Sequence, residues 1–394
     1  MRFMSSSGSQ THTVEFLVEE RVTVSDGLVF VSGLTAADPE VGIPAQAAVS
    51  PEFPYYGADI QRQTTYILEK LSRLLESVGA NLGAVVKTQV FLTDCRLFDA
   101  FDQVWKRFFP MPPPRTTVGV GSDAMPVPGA LVSVDVIAAQ PEVLAVTQVD
   151  SPRLPKPLAN YTPCVAAGDW LFLAGQLPTE FGVTGLAPAA TVNPNFPHHV
   201  SPLVAQATFT LGICTTLLED AGSNWDQVVR VHVFLKNVAD APLFEALWND
   251  MFDAGPPPSL VIGVDELLTG GALIEVDVIA IRAATPKQVR TAPDGTVAVG
   301  ANATLFAVAR AGVVEHAHRV LAVEAAVTTA LSSAGQAAGD GARPVKLHAF
   351  LPHPQDTFGF GRGLDSVAQA AAVTTSPSVG ATGVAMEIVY RAES

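Results

Sequence analysis

The segment Gly79-Ala-Asn-Leu-Gly-Ala-Val-Val-Lys-Thr-Gln-Val-Phe-Leu-Thr-Asp94 returns as Gly222-Ser-Asn-Trp-Asp-Gln-Val-Val-Arg-Val-His-Val-Phe-Leu-Lys-Asn237, an offset of 143 residues. Each copy leads into a Phe-containing segment, a proline cluster (Pro112–Arg115 and Pro256–Ser259) and an apolar run carrying acids, Ala130–Ala138 and Ala272–Ala280. A third echo closes the chain: an Ala-rich helical stretch to Gly335, then Val345-Lys-Leu-His-Ala-Phe-Leu351, Ser376–Ser378 and Gly383–Tyr390. A repeat of this length is a folding module, so the chain reads as three similar units, 14–140, 155–284 and 295–394, the third degenerate. Linkers without periodicity are expected near Pro141–Pro157 and Ala284–Gly295.

Within the first unit, two β-branched runs flank Asp26-Gly27, which signals a hairpin. Ile60, Tyr66, Ile67, Leu71, Leu74 and Leu75 recur at helical spacing before Gly79, a helix stop. Val85–Thr93 reads as an apolar strand, Leu97–Phe109 as a second helix, and Thr116–Val120 and Leu131–Ala138 as two more strands. The order is ββαβαββ, an α+β module. Phe98, Phe101, Trp105 and Phe108 share one face of the second helix, which at this spacing covers a sheet. Trp105 and Trp248 occupy matching core positions. The second unit repeats the plan around a turn at Gly168-Asp169, with strand Leu171–Gln176, helix Val204–Glu219 and a loop over Gly182–Pro202; the third nearly deletes that loop.

With 394 residues, 48% hydrophobic and 15% charged, the chain can bury several cores. A formal charge of -15 argues against nucleic-acid or anionic-membrane partners. Cys95, Cys164 and Cys214 share no metal-ligand spacing and read as reduced thiols. No run approaches the ~20 apolar residues of a membrane span, so a soluble, cytoplasmic protein is expected. The eight histidines, His198-His199, His316 and His318 among them, show no metal pattern, and neither a phosphate loop nor a nucleophile elbow is present. No cofactor and no metal are therefore expected.

The motifs Pro155–Tyr161, Ala174-Gly-Gln176, the Gly-Ala-x-Leu turn before Val85-Val-Lys-Thr, Phe-Leu-Thr-Asp94 and Pro113-Pro-Arg115-Thr resemble the RidA (YjgF/UK114) family of enamine and imine hydrolases. The resemblance covers most of the first two units; the third matches in order and in its last strand. It implies a chorismate-mutase-like fold and, because family members are trimers with pockets between subunits, a pseudo-trimer written on one chain. It further implies that Arg115 holds a substrate carboxylate, with Ser259 and Ser378 at the matching positions. A family glutamate on the last strand is implied at Glu275 and Glu387 but is Ser133 in the first unit; Asp135, on the same strand face, is either a substitute or a solvated acid at a strand end. Tyr161, Gly175 and Gln176 match family pocket positions, with Thr117 and Asp102 as further candidates. The preferred site joins Arg115 to Tyr161, Gly175 and Gln176 across the first two units.

The expected function is cofactor-independent hydrolysis of a small carboxylated imine or enamine, with Arg115, Tyr161 and Glu275 as catalytic residues. Two other readings stand beside it: a chorismatase-like hydrolase or lyase on a larger cyclic acid, and a non-catalytic ligand-binding or scaffold protein.

Overall fold

The computed structural model describes residues 20–157, 160–180, 185–253, 255–314, 318–364 and 371–393. Met1–Val14, Leu158 and Ala159 of the Pro155–Tyr161 motif, residues 182–184 of the expected loop, and His316 lie outside the described residues.

The first module comprises β1 (Val22–Ser25), β2 (Leu28–Thr35), α1 (Asp59–Glu76), β3 (Val85–Leu92), α2 (Phe98–Phe108), β4 (Arg115–Gly119) and β5 (Val132–Ala139). The second comprises β6 (Val146–Gln148), β7 (Cys164–Ala167), β8 (Trp170–Leu173), α3 (Pro202–Asp220), β9 (Val228–Leu235), α4 (Ala241–Asp250), β10 (Ser259–Gly263), β11 (Glu266–Leu267) and β12 (Ile274–Ile281). The third comprises β13 (Gln288–Thr291), β14 (Val297–Ala301), β15 (Thr304–Gly312), α5 (Arg319–Ala338), β16 (Arg343–Leu351), α6 (Thr357–Leu364), β17 (Ala372–Pro377) and β18 (Gly383–Arg391).

They form three sheets, ordered β1-β2-β5-β3-β4-β11, β10-β9-β12-β8-β7-β6 and β13-β14-β15-β18-β16-β17. The architecture is α+β, with three similar ββαβαββ-like modules in a RidA-like pseudo-trimeric arrangement. In each sheet the central strand pairs antiparallel with the module's last strand and parallel with the short strand after the second helix.

Each long helix buries an apolar stripe on its own sheet. In α1 the stripe is Ile60, Ile67, Leu68, Leu71 and Leu75, and the helix stops where Gly79 adopts φ 74° and Ala80 N–H donates to Leu75 O. Gly222 (φ 72°) and Ser223 N–H, bonded to Leu218 O, repeat this stop after α3.

The opposite faces of the three sheets turn toward one another and share two apolar clusters. One gathers Phe30, Val86, Phe172, Val229, Phe306 and Val345; the other gathers Phe91, Phe234 and Phe350, whose rings meet at 6.5 Å for Phe91–Phe234 and for Phe91–Phe350.

Between these clusters lies a buried polar belt that depends on a bulge. In β3 Val85 opposes Ala138 while Lys87 opposes Ile137, so Val86 is extra; Val229 in β9 and Val345 in β16 are extra in the same way. The bulge places both the valine and the following cation on the inter-module face. Lys87 reaches Asp277 of the second module (3.1 Å), Arg230 reaches Glu387 of the third, and Lys346 reaches Asp135 of the first. Every cation in this ring is thus neutralised across a module boundary.

The linker stretches before the second and third modules carry β6 and β13, which extend their sheets by backbone pairing with β7 and β14; strands of three or four residues are too short to display a side-chain period. One expectation is corrected. The strand expected over Leu171–Gln176 is interrupted. Phe172 opposes Ile279 while Gln176 opposes Val276, so Ala174-Gly175 forms a bulge matched by Ser32-Gly33 in β2.

Asp277→Asn removes the charge that faces both Lys87 and Arg230 and is expected to cost about 3–5 kcal/mol of unfolding free energy in urea titration. Their cationic neighbours hold Asp277 and Glu387 below the ordinary carboxylate range, Glu387 at about 2. Their stabilisation is therefore full above the unfolded carboxylate range near ~4 and is lost as pH falls toward 2. Urea midpoints at stepped pH check that sign.

Candidate functional site

Arg115 opens β4 directly after Pro112–Pro114, and its carbonyl accepts a hydrogen bond from Gly175 N–H of the second module (3.2 Å). Its side chain is only 3% exposed. Nη1 donates to Asp102 Oδ1 at 2.8 Å, while Lys106 holds the other carboxylate oxygen at 2.7 Å. The rings of Phe98, Phe101 and Trp105 surround the guanidinium at 5.1, 5.6 and 5.3 Å. The aromatic face of α2 therefore both covers the sheet and cradles the arginine. One carboxylate fixes the fork and leaves further N–H donors for a ligand.

Glu275 of β12 lies across the boundary and is buried. Burial first, then the neighbouring Asp277, push its carboxyl up to about 8, against the pull of Lys87, a backbone hydrogen bond from Thr117 and the pull of Arg115. A Cβ on Gly175 would overlap Glu275 Oε1 and stand 2.9 Å from Thr116 Oγ1, so only glycine lets the carboxyl lie over this backbone. Tyr161 is half-buried and interacts electrostatically with Glu275 and Arg115; burial and Glu275 hold its phenol well above the ordinary range.

Two buried polar atoms here, Glu275 Oε2 and Thr117 Oγ1, have no hydrogen-bond partner. Trp105 Nε1 and Gln176 Oε1 are partnerless as well, and a group of such atoms around one arginine is where a ligand or water could complete the network.

Arg115, Glu275, Tyr161, Gly175 and Thr117 thus come together. Gln176 is fully buried; it donates to Ala174 O and exchanges backbone hydrogen bonds with Val276, which fixes the end of β8. Asp102 binds the arginine rather than a ligand.

Ser133 does not join the group. Asp135, two residues along the same face, is held by Lys346 and Thr374, so this face of β5 meets the third module, and Asp135 is no substitute for Glu275.

Strand register also corrects two counterparts. Thr88 opposes Arg115, Val231 opposes Ser259 and Leu347 opposes Val373, so the third module's equivalent of Arg115 is Val373. Ser378 instead bonds Gly263 N–H through its hydroxyl. Phe91 opposes Ser133, Phe234 opposes Glu275 and Phe350 opposes Ala385; Glu387 is the counterpart of Asp277 and Asp135. The sequence comparison slipped because the last strands look alike when shifted by a two-residue pleat.

Lys87, Thr116 and Asp277 are the site's missed supports. Lys87 Nζ donates to Thr116 Oγ1 (3.0 Å) and Leu173 O (2.6 Å), and Thr116 Oγ1 donates to Asp277 Oδ2 (2.9 Å). The available signal was a cation recurring in each apolar central strand. Among the described residues, no group of three or more His, Cys, Asp or Glu is placed to hold a metal, and no helix is long and apolar enough to cross a membrane.

The family description Endoribonuclease L-PSP matches residues 18–140 and again 152–282. The chain is similar to mitochondrial protein mmf2 of Schizosaccharomyces pombe, 35% identical over 117 residues, 29% of this chain and 82% of that protein. It is also similar to chloroplastic Reactive Intermediate Deaminase A of Arabidopsis thaliana, 29% identical over 99 residues, 25% of this chain and 47% of that protein. Among solved structures, RidA from the Antarctic bacterium Psychrobacter sp. aligns with 18% identity and a TM-score of 0.29 over 34% of this chain and 98% of its own.

Glu275→Gln is expected to stabilise the fold at neutral and alkaline pH. The folded value of about 8 lies above the ordinary 4.5, so the carboxyl carries no such cost below about 4.5 and a growing cost up to about 8. The gain should be about 1–3 kcal/mol at pH 8 and vanish at pH 4, read as paired urea midpoints.

Proposed function

Because the chain belongs to the RidA/YjgF-like endoribonuclease L-PSP family, we propose that it hydrolyses small 2-imino acids, or their enamine tautomers, between its first and second modules. The observation that supports this most is the approach of Arg115 and a protonatable Glu275, whose Oε2 has no partner, from opposite sides of one boundary. A single cradled guanidinium suits one carboxylate. RNA, which the family description invokes, needs a basic surface, and a formal charge of -15 argues against one.

In the proposed reaction Arg115 binds the substrate carboxylate through its remaining N–H groups, which sets the imine carbon beside Glu275 and Thr117. Glu275, neutral at pH 7, gives its proton to the imine nitrogen as water adds to the carbon, and the carboxylate formed takes the proton that water releases. Carbinolamine collapse reverses the roles: the nitrogen leaves as ammonia with a proton from Glu275, and the hydroxyl proton returns as the C=O bond forms. The products are a 2-oxo acid and ammonia, and the enzyme is restored. Tyr161 borders the site, and its raised phenol stays neutral.

The test is ammonia release from 2-iminopropanoate generated in place by an amino-acid oxidase. Arg115→Ala should lower kcat/KM by about 10²-fold or more, with the loss shared by KM. Wild-type kcat/KM should fall as pH rises through about 8, as Glu275 of the free enzyme loses its proton, and Glu275→Gln should bring ammonia release down to the oxidase blank. Wild-type protein that releases no ammonia above the oxidase blank would reject the reading.

A further inference from the structure

The boundary between the second and third modules has been rebuilt with its charge reversed. At the position of Arg115 stands Ser259, and at that of Glu275 stands Ala385. β15 lacks the bulge found at Ser32-Gly33 and Ala174-Gly175, and this continuous strand sets Arg310 directly opposite Ala385. The side chains of a cross-strand pair share a face, so Arg310 projects toward the second module. There Nη1 donates to Glu245 Oε1 at 2.9 Å and Nη2 donates to Ser259 O at 2.8 Å.

Glu245 is the repeat counterpart of Asp102, as Trp248 is of Trp105. The guanidinium–acid pair that marks the first site therefore recurs at the second boundary, with the arginine supplied from the opposite side.

Beside it is a cleft of about 500 Å³ whose lining includes Ser259, Val308, Trp225 and Phe252, with Lys287 and Asp226 as its charged members. Register explains the space. Cys164 opposes Leu173 as Ala298 opposes Ala307, so the counterpart of Tyr161 is Gly295, which also lines the cleft. Loss of the phenol and of the cradled arginine leaves a mixed cleft with an apolar side at Trp225, Phe252 and Val308, and Arg310, 44% exposed, stands at Ser259 on its edge.

We propose that this cleft is a second, non-hydrolytic site for a monocarboxylate with an aromatic or branched apolar tail. The tail packs between Trp225, Phe252 and Val308, and the free N–H groups of Arg310 take the carboxylate. With alanine at position 385 the cleft has no counterpart of Glu275, so the ligand is bound and released unchanged. This assignment stands whether or not the first site hydrolyses imines.

The probe is 3-phenylpropanoate, titrated calorimetrically into the full chain, with 3-phenylpropanamide as the uncharged control. Saturable binding is expected, weakened about tenfold or more in Arg310→Ala and in the amide, retained in Arg115→Ala, and accompanied by a tryptophan fluorescence change lost in Trp225→Phe. Ammonia release by Arg310→Ala should equal that of wild type. The proposal is overturned if the acid does not bind, if Arg310→Ala or the amide binds as tightly, or if Arg115→Ala alone removes binding.

Discussion

Lys87, Arg230 and Lys346 each sit out of water on an apolar strand, and each finds its neutralising carboxylate in the next module: Asp277, Glu387 and Asp135. An unpaired buried ammonium or guanidinium would cost several kcal/mol. No module can therefore dock in an arbitrary register, because the ring of three cations and three acids closes only when first meets second, second meets third and third meets first. The apolar clusters on either side supply area without direction; the belt supplies the direction. Arg230 binds Asp277 as well as Glu387, and Gln89 donates to Asp277 and contacts His232, so the ring is tied laterally as well as across boundaries.

The chemistry at the first boundary follows from that belt. Glu275 is two residues from Asp277 on one strand face, and the fixed negative charge of Asp277, added to burial, keeps the Glu275 carboxyl protonated at neutral pH. Thr116, bonded to Asp277, is the neighbour of both Arg115 and Thr117. The contact that registers the modules thereby also brings the arginine opposite the acid. The cost of protonating or burying Glu275 falls on a scaffold already held by Lys87 and Asp277, a division between strained site and rigid support that functional sites commonly show.

Much of the fold was legible because its local signals agree. Asp26-Gly27 between β-branched runs, the helical spacing of Ile60 to Leu75 and the glycine stop at Gly79 each specify one element, and the repeat multiplies them by comparison. Arg115, Glu275, Tyr161 and Gly175 were reachable through motif likeness. The bulges were not. A strand reading by strict alternation sends Val86 to the helix side with Val90 and Leu92, because it cannot see that Val86 is extra and shares the inter-module face with Lys87. The same blindness misplaced Glu387 and Ser378, whose true counterparts follow from which residues oppose Phe350 and Leu347. Register is a property of pairs of strands, and a single strand's sequence carries only half of it.

Covalent linkage changes what such a ring permits. In a trimer of identical chains one residue serves every boundary, so replacing Glu275 by alanine would empty all three sites at once. Here the positions are separate: Glu275, Ala385 and Ser133 occupy one place, Arg115, Ser259 and Val373 another. The belt, needed at each boundary for closure, keeps a cation and an acid in every module, whereas the pocket positions differ in charge, size and hydrogen bonding. Change has gathered where closure does not depend on it. Arg310 shows the limit of that freedom: the guanidinium has crossed to the other side of its boundary, yet it still meets an acid at the Asp102 position and a carbonyl at the start of the short parallel strand.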